Sequence, residues 1–147
     1  MNGIELEIHE LLEQAVEYLN SRDLDSLIKM WDNSAVLMLP ATPALYGKQG
    51  ISKWLENHMN FFGYDLEIDI GDIKPDGKLA CVSGRFIIHI RNLLNKCICI
   101  HNGKFLIVMS IDNSDLEDSY QPLWNIYCCC SNSSLPPSST QKWDCLI

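Results

Sequence analysis

The spacing of apolar residues changes near Gly63. Before this glycine, apart from a short apolar run over 35–39, apolar residues recur every three or four positions, as on one face of an α-helix. After it, they alternate with polar residues, as in strands with one buried face. Helices followed by a run of strands are typical of α+β domains. We therefore expect an α+β fold in which helices pack on one face of a curved antiparallel sheet.

Three helices are predicted before Gly63. The first spans 4–21, and a break then leads to Asp23, whose carboxylate is a suitable N-cap for the second helix. This second helix is short and carries Trp31 on its inner face. The third spans 48–62, with Gly63 as its C′ residue. Its predicted apolar face consists of Ile51, Trp54, Leu55, His58, Met59 and Phe62.

The predicted strands alternate with turn-forming residues. They span 35–39, 64–73, 79–91, 96–100, 104–111 and 123–130. Asn102-Gly103 predicts a turn or a bulge between the fourth strand and the fifth. Residues 113–121 are polar and predict a loop. Beyond residue 131, Ser, Pro and Asn dominate, so we expect one domain over 1–131 and a polar tail over 132–147.

Charge and hydropathy narrow the range of partners. The formal net charge is −8, and the 11 Lys and Arg residues form no basic cluster. Because contacts with phosphates dominate nucleic-acid affinity, we expect no nucleic-acid partner. No apolar run approaches the roughly 18 residues of a membrane span, and the first residues lack a signal-peptide pattern. The expected location is cytoplasmic, with no membrane partner.

The seven cysteines are odd in number, which disfavours a secreted disulfide framework. Cys97, Cys99 and His101 alternate along one predicted strand, and Cys128 and Cys130 along another. Thiolates and imidazole on adjacent strands could bind zinc or copper(I). However, the first group lacks the C-x₂-C spacing of zinc knuckles, and its interleaved isoleucines suit a strand between two layers. We expect reduced thiols, with no metal and no cofactor.

Two stretches of the chain resemble the SnoaL-like branch of the nuclear transport factor 2-like superfamily, which includes the ketosteroid isomerases. The first comprises Leu19–Asp25, Met30–Val36, Pro40 and Tyr46–Ile51. The second comprises Asp76–Gly84, Gly103–Val108 and Trp124–Ile126, which are similar to the family landmarks G-D-x-A-x-V-x-G, G-K-Y-L and W-x-I. The resemblance covers about residues 4–137. It implies a cone-shaped fold with an apolar cavity, and a homodimer.

The catalytic residues of ketosteroid isomerases are not matched. By the resemblance, the carboxylate base at the end of the first strand corresponds to Leu39. The oxyanion-hole tyrosine of the first helix falls near Ala15, and the second oxyanion-hole acid near Ile107 or Val108. Leucine cannot carry a proton, and alanine cannot donate a hydrogen bond to an enolate. The resemblance therefore predicts no ketosteroid isomerase activity.

Two other residues could supply chemistry to the cavity. His58 could act as an acid or base near neutral pH, and the alternative is a buried neutral histidine. Tyr18 could present its hydroxyl group, and the alternative is an aromatic core residue. The predicted pocket consists of Tyr18, Trp31, Leu39, Trp54, His58, Phe62, Phe86 and Met109.

Three hypotheses about function follow. The first is a SnoaL-like protein that binds a small hydrophobic molecule in an apolar cavity, without the ketosteroid isomerase catalytic residues. The second is an enzyme, such as a cyclase, hydratase, isomerase or lyase, that acts on a small hydrophobic substrate with His58 as acid or base. The third is a homo-oligomeric assembly module. The sequence does not identify the ligand or substrate.

Overall fold

The computed structural model describes residues 2–111 and 124–133, and confirms the α+β class. Two of its three helices are long, and the second has only 5 residues. The elements are α1 (Gly3–Asn20), α2 (Leu24–Ile28), β1 (Trp31–Met38), β2 (Leu45–Tyr46), α3 (Gly47–Met59), β3 (Gly63–Asp76), β4 (Leu79–Arg91), β5 (Cys97–Ile111) and β6 (Trp124–Ser133). None of the helices in these ranges combines the length and apolar composition that a bilayer crossing requires.

Local capping explains where the first two helices begin. The Asn2 side chain accepts a hydrogen bond from the Glu5 backbone N–H at 2.9 Å. The Asp23 side chain accepts one from the Ser26 backbone N–H at 3.2 Å, which confirms the predicted N-cap. Each cap satisfies a backbone donor that has no partner within its own helix.

Trp31 was wrongly predicted to lie on the second helix, since it opens β1. The backbone N–H of Ile126 donates to the Met30 carbonyl at 2.7 Å, and Trp31 pairs with Ile126. Pairing with a distant strand therefore overrides the helical spacing. Gly63 was likewise predicted as the helix C′ residue, but it begins β3 opposite Arg91.

The sheet is mixed, not wholly antiparallel as predicted. Its strand order is β2-β1-β6-β5-β4-β3. β1 runs parallel to β6, and the other neighbouring pairs are antiparallel. The parallel pair joins the first and the last of the described strands. Apolar spacing within each strand carries no information about this pairing, because it depends on residues that are far apart in sequence.

The predicted Asn102-Gly103 turn is absent, because β5 is one strand of 15 residues. A Cβ atom at Gly103 would collide with the carbonyl of Asn132 on β6. The glycine therefore allows two backbones to approach closely within a strand. β4 has the predicted limits, 79–91.

The predictions for the last third of the chain are tested only where the structure describes it. β6 continues to Ser133. The predicted loop over 113–121 and almost all of the predicted tail over 132–147 lie outside the described residues. The division between a domain at 1–131 and a tail therefore stays a prediction.

A candidate apolar binding cavity

A cavity of about 210 Å³ lies between the inner face of the sheet and the helices. Side chains leave this space unfilled, and it is partly open to the surface. Its walls come from all three described helices and from five of the strands. The lining residues are Leu12, Ala15, Val16, Leu19, Leu27, Trp31, Leu37, Leu39, Trp54, Leu55, Tyr64, Leu66, Ile68, Phe86, Ile88, Phe105, Ile107, Ile126, Cys129 and Ser131.

The structure brings four of the eight predicted pocket residues to this cavity, namely Trp31, Leu39, Trp54 and Phe86. The other four, Tyr18, His58, Phe62 and Met109, do not line it. Met109 is fully buried, and Phe62 borders a separate surface groove with Phe61, Asn92, Leu93 and Leu94. On α1, the lining positions are 12, 15, 16 and 19. Tyr18 lies beside this stripe of lining residues. Its side chain is rotated from the stripe by less than one helical turn, and apolar spacing alone does not resolve so small a rotation.

Three positions singled out through the resemblance do meet at the cavity. Leu39 follows β1, Ala15 is on α1 and Ile107 is on β5, and all three side chains border the same space. Val108, the alternative to Ile107, is not among the lining residues. No carboxyl or hydroxyl group is present at any of these three positions. The arrangement therefore provides apolar surface where the resemblance places two acids and a tyrosine.

Two glycines shape the aromatic part of the wall. Phe105 pairs with Gly84 across β4 and β5, and Phe86 pairs with Gly103. A Cβ atom at Gly84 would lie 2.7 Å from Cζ of Phe105, and one at Gly103 would lie 3.1 Å from Cε1 of Phe86. Each ring therefore lies over a glycine, in space that any other residue would occupy. These pairs are a signal that sequence reasoning missed.

The cavity wall carries no charge near neutral pH. Among the described residues that line the cavity, only Tyr64 and Cys129 have side chains that ionise in the usual range of protein titrations. Burial raises the pKa of the Cys129 thiol to about 12. Burial also raises the pKa of Tyr64 well above its usual value, against a smaller opposing effect of Arg22. Both groups are therefore neutral and cannot balance a ligand charge.

His58 lies next to the cavity wall but does not border the cavity. Its ring stacks on Trp54 with 3.8 Å between centroids, and it is 6% exposed. Its Nδ1 atom has no hydrogen-bond partner among the described residues. Burial lowers the pKa of His58, because the interior disfavours the imidazolium ion. Its proposed role as an acid or base stays a hypothesis.

The thiols and imidazole considered as metal ligands face opposite sides of the sheet. Cys99 is hydrogen-bonded to His101 on the inner face, with 2.9 Å between Sγ and Nε2. Cys128 and Cys130 pair with Val108 and Leu106 on the outer face. Over the parts of the chain that the structure describes, no three His, Cys, Asp or Glu residues converge as a ligand set.

The sequence matches no protein-family model, and no curated protein is similar to it in sequence. Solved structures are similar in fold. A ketosteroid isomerase-like protein from Erwinia carotovora atroseptica superposes with a TM-score of 0.76 at 17% identity, covering 92% of this chain and 100% of that one. A nuclear transport factor 2-like superfamily protein from Salmonella enterica serovar Typhimurium gives 0.74 at 14% identity, with 95% and 96% covered. A conserved protein from Planctomyces limnophilus gives 0.74 at 12% identity, with 88% and 96% covered.

These likenesses confirm the nuclear transport factor 2-like fold that the resemblance implied, whereas the cone shape stays a prediction. The chain has the nuclear transport factor 2-like fold, shared with ketosteroid isomerase-like proteins. A fold of this kind hosts unrelated activities, so function has to be argued from the cavity.

Proposed function

We propose that the protein binds a small hydrophobic molecule in its apolar cavity, within a cone-shaped enclosure, and lacks the ketosteroid isomerase catalytic residues. The observation that carries this proposal is an apolar cavity of about 210 Å³ with Leu39, Ala15 and Ile107 in its wall. Unfilled apolar space costs stability because the lining atoms lose packing contacts. A hydrophobic ligand would restore those contacts.

Filling the cavity tests this proposal. Ala15→Phe places a ring in the space from the α1 side, and we expect it to weaken binding of a small apolar probe such as naphthalene at least tenfold. Gln14→Phe adds the same ring at an exposed position of α1 and should leave binding unchanged. Calorimetric titration measures both affinities, and circular dichroism checks folding. Equal binding by the wild type and the folded Ala15→Phe variant would place the probe elsewhere and refute the proposal.

The enzyme hypothesis has less support. His58 is the acid or base that it requires, yet Trp54, on which His58 stacks, borders the cavity and His58 does not. If a turnover reaction is found, His58→Gln should reduce its rate at least tenfold under this hypothesis, while naphthalene binding stays unchanged. An unaltered rate would remove His58 from the chemistry.

Self-association through the outer face of the sheet is a second proposal, supported by exposed apolar side chains there. Leu106 pairs with Cys130, which pairs with Met38, so the three form a row across three strands. Leu106 and Met38 are 45% and 40% exposed. Monomeric proteins seldom expose large contiguous apolar patches. The row suits a symmetric dimer, in which the same patch of each copy meets its partner.

Charge insertion tests the dimer. We expect the wild type to sediment as a dimer at micromolar concentration, and Leu106→Glu to shift it to a monomer. Gln49→Glu, at an exposed position of α3, introduces the same charge away from the row and should remain dimeric. A monomeric wild type would refute the proposal.

We also propose a cytoplasmic location, since a reducing compartment suits the odd number of cysteines.

A further inference from the structure

A surface groove at the tip of the β4–β5 hairpin shares no lining residue with the cavity. Its walls are Phe61 and Phe62, which follow α3, and Asn92, Leu93 and Leu94, which follow β4. We call it the tip groove. Phe61, Leu93 and Leu94 are 61%, 70% and 78% exposed. A contiguous exposed apolar surface of this kind usually marks an interaction site, so the tip groove calls for an occupant.

Hydrogen bonds within the hairpin turn hold the two leucines in this exposed position. The Asn92 side chain accepts hydrogen bonds from the backbone N–H groups of Leu94 at 2.9 Å and Lys96 at 3.1 Å. The Asn92 backbone N–H donates to the Lys96 carbonyl at 2.9 Å, and Asn95 has a left-handed φ of 60°. A defined turn therefore presents the leucines to the surface.

The last described strand points toward the tip groove. β6 is antiparallel to β5, with Trp124 opposite Ile111 and Ser133 opposite Gly103. At Ser133 the backbone is therefore directed along β5 toward Cys97, where β5 begins next to the turn. At about 3.3 Å per residue, the stretch of β5 from Gly103 to Cys97 measures about 20 Å.

The sequence that follows Ser133 has a polar part and an apolar part. Residues 134–142 are mostly Ser, Pro, Thr and Gln, and the apolar part consists of Trp143, Leu146 and Ile147. Prolines cannot donate to a strand ladder and favour polyproline II backbone, so the Pro-Pro sequence in the polar part predicts an extended connection. Ten residues at about 3.1 Å each cover about 31 Å, which is enough for Trp143 to reach the tip groove.

Charge favours the same placement. No Asp or Glu occurs from Lys78 to Ile111, although the chain has a formal net charge of −8. Lys96 belongs to the hairpin turn, and Asp144 directly follows Trp143. Docking of the apolar part at the tip groove would bring these opposite charges together.

We propose that residues 143–147 dock in the tip groove of their own chain, with the indole ring of Trp143 against Leu93 and Leu94. A short connection gives such a segment an effective concentration of about 1 mM at the groove, so even a weak contact is populated. A second copy at micromolar concentration would therefore compete poorly for the same groove. Such docking depends neither on a ligand in the cavity nor on the proposed dimer.

Reciprocal substitutions in the full chain test this contact. In ¹H–¹⁵N spectra, Trp143→Ser should move the backbone N–H resonances of Leu93 and Leu94, because the ring current of the indole is lost. Leu94→Ser should lower the docking equilibrium about fivefold, because apolar contact area is lost. The indole N–H resonance of Trp143 should then move toward its position in a free peptide of residues 138–147. An absence of either movement would overturn the proposal.

Two further variants are matched controls. Leu79→Ser replaces a leucine that is 53% exposed at the opposite end of β4, and it should leave the Trp143 resonance in place. Leu135→Ser lies in the polar part, and it should leave the Leu93 and Leu94 resonances in place. Circular dichroism checks that all four variants fold. Movements in the controls as large as those in Trp143→Ser and Leu94→Ser would contradict docking at this groove.

A mixed sample decides whether the segment belongs to the same chain or to a second copy. ¹⁵N-labelled wild type is equilibrated with an excess of unlabelled Trp143→Ser. If docking is within one chain, the Leu93 and Leu94 resonances of the labelled protein keep their wild-type positions. Their movement toward the positions seen in Trp143→Ser would place the segment of one copy in the groove of another and overturn the proposal.

Discussion

The two halves of β5 present different chemistry to the interior. In the first half, Cys99 and His101 are buried and hydrogen-bonded to each other at 2.9 Å. In the second half, Phe105 and Ile107 border the cavity and carry no polar side-chain atom. Gly103 separates the two halves and faces the same interior.

This difference shows where the fold places its buried polar side chains. Sγ of Cys99 and Nε2 of His101 lie within hydrogen-bond distance of each other, so the burial of these two atoms is compensated. The side chains that line the cavity are apolar or carry uncharged polar groups. A space with such a wall favours a ligand that brings little polarity of its own, which is the basis of the proposed function.

The largest expected effect comes from the residue between the two halves. Gly103→Ala adds a Cβ atom against the Asn132 carbonyl, and a paired backbone cannot move aside as a flexible side chain can. We expect a loss of about 3 kcal/mol in the free energy of unfolding, measured by urea denaturation.

Gly50→Ala is the matched control for this substitution. Gly50 is an exposed residue of α3, and no atom lies within 4 Å of a Cβ placed there. We expect it to stabilise the protein by about 0.5–1 kcal/mol. Similar effects of the two substitutions would mean that β5 and β6 do not approach closely at Gly103.

The next largest effect compares the two halves directly. His101→Ala removes closely packed atoms and leaves the Cys99 thiol without this partner, so we expect a loss of about 3 kcal/mol. Ile107→Ala should cost about 1.5 kcal/mol, because part of the Ile107 surface already faces empty space. Denaturation of the two variants under identical conditions gives both values. A larger loss for Ile107→Ala would indicate that the cavity wall is as tightly packed as the polar half.

The smallest expected effect is a dependence of stability on pH. Burial lowers the pKa values of His58 and His101 in the folded protein below the ordinary value of 6.5. Below about pH 6.5, the unfolded chain therefore binds more protons than the folded one. The free energy of unfolding consequently decreases as the pH is lowered. Each histidine contributes at most about 1.4 kcal/mol per pH unit in this range. We expect a total loss of about 1–2 kcal/mol between pH 7.5 and 5.5.

Variants assign this loss to the buried imidazoles. His58→Phe should reduce the pH dependence, whereas His9→Gln, on the surface of α1, should reduce it much less. Denaturation series at the two pH values measure both variants. Equal stability of the wild type at pH 7.5 and 5.5 would argue that neither buried histidine stays neutral in the folded state.

Local sequence patterns predicted correctly those elements whose local spacing and tertiary contacts favour the same secondary structure. α1 and β4 lie where their apolar spacing places them, and Asp23 caps α2 as expected. The predictions failed where a distant contact prevailed. Trp31 continues a helical pattern but pairs with Ile126, and Gly103 belongs to a turn-like dipeptide but lies within a strand.

The candidate site was predictable only in part, for a similar reason. Trp31, Leu39, Trp54 and Phe86 are large apolar residues on inward faces, and the structure places them on the cavity. The spacing also places His58 on the inward face of its helix. However, the cavity is bordered by Trp54, on which His58 stacks, and not by His58. Spacing gives the side of an element that is buried. It does not distinguish a residue that borders empty space from one that is packed on every side.

The amino-acid sequence by itself determined the α+β class, the positions of α1 and β4, and the apolar residues at positions 15 and 39. Only the tertiary structure decided the parallel pairing of β1 with β6, the close approach of β5 to β6 at Gly103, and the position and lining of the cavity. The physical reason is range. Periodicity and capping depend on residues within a few positions of one another, whereas strand partners and unfilled space depend on distances between residues that are remote in the chain.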